Sequence, residues 1–98
     1  MIYEILDTGA ANPRTATELA EFLGIPRRQV SAMISRERRE GKPICATTDG
    51  NRPGYFKPAT REEMADYCGK LRHRAGEIFK TRAACLNTLD DLPSAMDI

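Results

Sequence analysis

Apolar positions along this chain change period several times, and each change marks an element. Ile2, Ile5 and Leu6 recur at helical spacing until Gly9 and Pro13 close the segment, which predicts a first helix from Met1 to about Thr8 and a loop from Ala10 to Arg14. Thr15-Ala16-Thr17-Glu18 is a capping box, in which the Thr hydroxyl and the Glu carboxylate satisfy free amides at a helix start. Leu19, Phe22 and Leu23 then mark one apolar face, and Gly24 ends the helix. Pro26 suits the first turn of the next helix, where a missing N–H is tolerated. Val30, Met33 and Ile34 repeat at helical spacing and face inward, while Arg27, Arg28, Ser31, Ser35, Arg38 and Arg39 fall largely on the other side. Gly41 stops this helix and Pro43 prevents its resumption.

Beyond it the pattern shortens. Pro43 to Thr47 and Gly54 to Lys57 read as two strands of a hairpin, with Thr48 to Pro53 as the tip and Asp49-Gly50 as its turn dipeptide. Thr60-Arg61-Glu62-Glu63 is a second capping box, and a helix is expected from Arg61 to about Thr88. Met64, Leu71, Ile78, Cys85 and Leu92 recur every seven residues. Cys68, Ala75 and Leu89 form a second row, which Arg82 interrupts. Gly69 and Gly76 weaken the helix by about 1 kcal/mol each relative to Ala. The expected architecture is mainly α: three helices plus a two-stranded β-hairpin over residues 1–58, then a long C-terminal helical extension over 59–98.

Charge sharpens this picture. The 98 residues carry a net charge of only +1, but the charges are segregated. Gly24 to Lys57 holds eight bases (Arg27, Arg28, Arg36, Arg38, Arg39, Lys42, Arg52, Lys57) against three acids (Glu37, Glu40, Asp49). Met1 to Leu23 is net acidic, and the remainder is nearly balanced. The basic excess therefore coincides with the third helix and the hairpin, a distribution suited to nucleic acid. Cys45, Cys68 and Cys85 show no paired spacing, which fits a reducing cytoplasm and reads as small buried apolar groups. The start MIYEILDTG has no secretory pattern, and no run is apolar enough to span a membrane, so a soluble cytoplasmic protein is expected. His73 is a lone histidine between two arginines. With no phosphate-binding Gly loop, no metal-ligand spacing and no nucleophile beside a base, an enzyme, a cofactor and a metal site are not expected.

Two positions between Thr15 and Pro58 are demanding in a helix-turn-helix. A small residue must sit where the helices cross, here Ala20, and glycine usually takes the turn, here Gly24. Leu19, Leu23, Ile25, Val30 and Met33 supply the apolar set around them. The segment resembles the helix-turn-helix of winged-helix transcription factors, including the amino-terminal domain of biotin-operon repressors. The stretches ISRERREGKPIC, GYFKPAT and EEMADYCGKLRHRAGEI extend the likeness, and with them the chain resembles small winged-helix proteins of prophages of Gram-positive bacteria. That resemblance implies a winged helix-turn-helix fold and a role in phage regulation or replication, without choosing between the two.

In a helix-turn-helix the amino-terminal residues of the second helix meet the bases of the major groove. Arg27, Arg28 and Gln29 stand there, with Ser31 one turn on. Arginine suits the two guanine acceptors and glutamine suits adenine. Ser35 follows as a further DNA-binding candidate, one or two of Arg36, Arg38, Arg39 and Lys42 as phosphate contacts, with Arg36 and Arg39 placed in the site, and Arg52 near the wing tip suits a narrow minor groove. The plain alternative is a solvated helix face, with Glu37 and Glu40 pairing the late arginines and Arg38 or Arg39 holding the hairpin. Thr15 and Thr17 also suit a phosphate, with the cap the favoured role of Thr15. Tyr55 and Phe56 alternate faces, one toward the helical core and one toward the long helix. A helix near thirty residues long spans about 40 Å, more than so small a domain covers. Leu71, Ile78, Cys85 and Leu89 are therefore candidates for a homodimer contact, and a twofold dimer would set two recognition helices on one double-stranded DNA. The other functional class is an interaction module that binds protein and not DNA.

Overall fold

The computed structural model describes residues 1–47 and 53–95. The hairpin tip and Arg52 lie outside the described residues, except for Pro53. The elements are α1 (Ile2–Ile5), α2 (Ala16–Leu23), α3 (Arg27–Arg39), β1 (Cys45–Thr47), β2 (Gly54–Phe56) and α4 (Arg61–Leu86), followed by a short 3₁₀ turn at Leu89–Asp91. The chain is mainly helical, with one antiparallel hairpin and a long C-terminal helix. It divides into two units, Met1–Tyr67 and Cys68–Ile98.

Local chemistry fixes the ends of α2 and α3. The Glu18 N–H donates to Thr15 Oγ1 at 3.0 Å, and the Glu18 carboxylate accepts from the Thr15 N–H at 3.3 Å, so the capping box is complete. Gly24 closes α2 at φ 66°, a left-handed conformation that costs glycine least. Pro26 stands one position outside α3, as its N-cap, and not in the first turn. The far end of α3 is a Schellman closure. Lys42 N–H reaches the Glu37 carbonyl and Gly41 N–H reaches that of Arg38, both at 3.0 Å, with Gly41 at φ 96°.

In the first unit, Ile2, Leu6, Leu19, Val30, Met33, Ile34 and Ile44 form the main core, flanked by Ala20, Leu23, Ile25 and Tyr55. A second cluster joins Cys45, Phe56 and Tyr67, with Ala46 and Met64 beside it. Tyr55 and Phe56 thus serve different clusters, as strand alternation requires. β1 and β2 pair with Cys45 opposite Phe56 and Thr47 opposite Gly54.

Several expectations change. α1 is one turn long. After Leu6 the chain extends, because Asp7 and Gly9 bond to Lys57: Lys57 N–H to the Asp7 carbonyl at 2.9 Å, and Gly9 N–H to the Lys57 carbonyl at 2.7 Å. Arg14 and Tyr55 exchange a pair of 2.8 Å bonds, so the loop also covers the outer edge of β2. The neighbouring Gly54 must lack a side chain, since a Cβ there would lie 2.6 Å from the Arg14 carbonyl oxygen. Phe22 is 74 % exposed and not in the core. Ala16, Leu19, Ala20 and Leu23 fill the inward face of α2, and Phe22 points about 100° away from Leu23. Glu63 N–H donates to Thr60 Oγ1 at 3.1 Å, but the Glu63 carboxylate accepts from Ala59 and Ala10, so the second capping box is half formed. α4 ends at Leu86, which leaves Leu89 on the 3₁₀ turn. Cys45 is buried as expected, whereas Cys68 and Cys85 are exposed. Within the second unit every described residue is exposed, so nothing there covers those thiols.

Candidate nucleic-acid interface

The face of α3 away from the core collects the predicted residues. Arg27, Arg28, Gln29, Ser31, Ser35, Arg36 and Arg39 are all exposed. At about 100° per residue, Arg28, Ala32, Ser35 and Arg39 form the line most opposed to the buried Val30, Ile34 and Glu37. Gln29 and Arg36 lie along one flank of that line, and Arg27 and Ser31 along the other. The guanidinium-bearing positions Arg28 and Arg39 stand about 16 Å apart along the axis.

Glu37 decides the charge of this face. It stands seven residues after Val30 and three after Ile34, in the register of the core. Its side chain is accordingly 3 % exposed, where it accepts from the Ile2 and Tyr3 amides at 2.9 Å and from the Met1 amino group at 3.2 Å. Burial pushes the Glu37 carboxyl upward, but the amides of Tyr3 and Ile2 and the Met1 amino group outweigh it and hold it below its ordinary value. The expectation that Glu37 pairs with late arginines is thereby corrected. The only acid of α3 faces inward, and the exterior from Arg27 to Arg39 carries four arginines and no carboxylate. Glu40, at the C-cap, is the nearest exposed acid in sequence.

Four other cations of this unit, Arg38, Lys42, Arg14 and Lys57, have partners of their own. Arg38 is half-buried. Its Nε donates to the Ile44 carbonyl at 2.9 Å, and its guanidinium lies 5.1 Å from the Tyr67 ring centre and 5.9 Å from that of Tyr55. Arg38, not Arg39, therefore holds the hairpin. Lys42 reaches Glu4 at 2.9 Å, and the amino terminus and Lys42 together push the Glu4 carboxyl down to about 2. Arg14 pairs with Asp7 at 2.9 Å, and Lys57 sits 4.7 Å above the Tyr3 ring. Thr15 is committed to its cap. Among the described residues, Arg27, Arg28, Arg36 and Arg39 have no ion pair or side-chain hydrogen bond.

Helix electrostatics treats the two ends of this face differently. Arg36 and Arg39 lie in the last turn, where cations complement the macrodipole. Arg27 and Arg28 lie in the first turn, where no acid accompanies them and the dipole adds positive potential. An anion placed at that end is stabilised by both sources. Two features of this site escaped the sequence reading: the inward Glu37 and the Arg14–Tyr55 pairing. The first had a signal in its helical register; the second, a single-residue bridge, had none.

On the second unit, Leu71, Ile78 and Cys85 are exposed on α4 and Leu89 is exposed on the 3₁₀ turn. No described helix is long and apolar enough to cross a membrane. Among the described residues no group of three His, Cys, Asp or Glu side chains could hold a metal ion. No protein-family model matches this chain, no curated protein matches it, and no solved structure matches it.

Proposed function

We propose that this protein binds double-stranded DNA through the exposed face of α3, as a winged helix-turn-helix whose wing is the β1–β2 hairpin. The observation that carries the reading is the set of four unpartnered arginines on a helix whose single acid is turned inward. Three further features support it. The Gly24 turn joins α2 to α3 with Ala20 beneath it, and both the Gly24 and Ile25 amides reach the Ala20 carbonyl. The hairpin follows α3 directly, and Arg38 ties it to that helix. Arg28 and Gln29 have side chains suited to guanine and adenine edges, while Arg36 and Arg39 suit phosphates. In the cell such a protein serves as a transcriptional regulator or a replication-associated factor of a mobile element, acting as a cytoplasmic homodimer.

Fluorescence polarisation with a library of duplexes, read across a salt series, tests this reading. Two phosphate contacts per protomer, from Arg36 and Arg39, correspond to a slope of about −1.8 in log K against log salt. Arg28→Ala with Arg39→Ala is expected to weaken binding at least about tenfold and to make the slope shallower by about 1 for each lost phosphate contact. An unchanged affinity with the fold intact removes α3 from the interface.

One observation favours a second reading, a protein-interaction module. Phe22 is 74 % exposed on the outer side of α2, beside a shallow depression lined by Ile5, Arg14, Glu18 and Leu19. Absence of DNA binding at low salt, with capture of a protein partner lost in Phe22→Ser, moves the assignment there.

A further inference from the structure

The exterior of α3 is polar except at one point. Of the four apolar residues of this helix, Val30, Met33 and Ile34 are buried in the core, and Ala32 alone is exposed. Ala32 also stands at the centre of the proposed contact surface. Arg28 and Gln29 precede it by four and three residues, and Ser35 and Arg36 follow it by three and four, so these side chains surround it on the helix surface. All four are exposed, and the one acid of α3 is turned away from them. Duplex DNA offers a matching group. The one methyl displayed among the donors and acceptors of the major groove is the C5-methyl of thymine, and the minor groove does not display it.

We propose that Ala32 contacts the methyl group of a thymine, and that the preferred duplex carries this thymine close to the guanine met by Arg28. The inference rests on the proposed seating of α3 in the major groove, and it adds the composition of the bound site. A side chain that ends at Cβ reaches a base edge only where the helix itself lies against the groove floor. Arg28 and Arg36, one turn to either side, are long enough to reach past it to a base edge and a phosphate. Arg28 and Ala32 are about 6 Å apart along the axis. That is close to two base-pair steps of about 3.4 Å, so the thymine falls within about two steps of the guanine. Gln29, three residues before Ala32, suits an adenine, so the two neighbours both favour A·T pairs. An exposed alanine also raises helix propensity, and for that reason the test reads the base and not the helix.

The full chain is used to select a tight-binding duplex from a randomised library at low salt. Each thymine of that duplex is then replaced singly by deoxyuridine, which pairs alike and lacks only the methyl group. The unaltered protein is expected to lose about three- to fourfold in affinity at one thymine of each bound site, the worth of one buried methyl group. Ala32→Gly removes the contact, and Ala32→Ser is a second variant that perturbs the helix less. Both are expected to bind the parent duplex more weakly by a similar factor and to be nearly indifferent to that deoxyuridine. Such non-additivity between protein and base is not produced by a weakened helix. Ala32→Arg adds a cation, yet it is expected to weaken binding to the selected duplex, because the longer side chain holds the helix off the methyl group. A selected duplex with no deoxyuridine-sensitive position, or a loss that persists undiminished in the Gly and Ser variants, overturns the role of Ala32 and leaves DNA binding in place. Tighter binding by Ala32→Arg overturns the close approach on which that role depends. Failure to select any duplex overturns instead the seating of α3 on DNA, and this inference with it.

Discussion

A carboxylate that is 3 % exposed on the side chain, as Glu37 is, remains ionised only when its oxygens are well supplied with donors. Here the amides of Ile2 and Tyr3 supply them, and in doing so they fix the start of α1 to the last turn of α3. Glu37→Ala would strand two amide groups in an apolar core. The expected cost is about 3 kcal/mol in urea or thermal unfolding, with Glu37→Gln intermediate. Acid should reproduce the effect. Burial raises the Glu37 carboxyl but the amides and the amino terminus lower it further, so its folded value is depressed. The Glu63 carboxyl is also lowered, by the Ala59 and then the Ala10 amide, and Glu4 falls to about 2. Groups depressed by folding stabilise fully above their unfolded value, near 4.5, and lose that contribution as the pH falls through the folded one. The melting temperature is therefore expected to hold above pH of about 4.5 and to decline toward about 2. A Glu37→Ala variant should lose less over that range; an equally steep decline would place the acid sensitivity elsewhere. Glu37 was legible in principle, since its position repeats the core register of Val30 and Ile34. As a glutamate it suits a surface partner, because glutamate is seldom fully buried, and only tertiary structure brings the amides of α1 to it.

Adjacent arginines on α3 meet different surroundings, and the element shows why. One residue is about 100° of helix, which turns Arg38 onto the hairpin and Arg39 onto the open face. Arg38 joins α3 to the Ile44 carbonyl and to the rings of Tyr55 and Tyr67, so it connects helix, hairpin and the start of α4 within the first unit. Arg38→Ala is expected to lower stability by about 2 kcal/mol, through a charged hydrogen bond and two ring contacts. Arg39→Ala should cost unfolding no more than about 1 kcal/mol, the loss of its macrodipole contribution, and, on the proposed reading, weaken DNA binding in polarisation titrations. If both variants shift stability alike, or neither shifts binding, the division between structural and DNA-facing arginines fails. At this scale the sequence was informative wherever an end carries its own chemistry: the Thr15–Glu18 box, Gly24 and Gly41 all mark the boundaries observed. It was misleading where tertiary bonds override local pattern. Ile2, Ile5 and Leu6 fit a longer helix, yet Lys57 draws the chain at Asp7 and Gly9 into extended pairing. Phe22 fits the apolar period of α2 loosely, but smaller residues already fill its inward face.

Taken as a whole, the molecule has a buried core in its first unit and none among the described residues of its second. Net charge alone, at +1, conceals the basic middle of the chain. The seven-residue apolar recurrence through α4 suits a continuous seam, but Arg82 interrupts its second row and every described residue after Tyr67 is exposed. The first unit contains a core of Ile2, Leu19, Val30, Ile34 and Ile44, each at 2 % exposure or less, and should unfold cooperatively. The second unit has no buried residue among those described, so nothing within it protects its helix, and the proposed homodimer is the source of protection to test. Hydrogen exchange measured at two protein concentrations separates the two contributions. Amides of Val30 to Glu37 are expected to exchange only through the slowest, near-global opening at either concentration. Amides from Leu71 to Leu86 are expected to exchange faster in the dilute sample and to slow as concentration rises, because mass action favours the paired helix. Uniform, concentration-independent protection across both stretches would mean that α4 is held by its own chain, and would remove the need for a second copy.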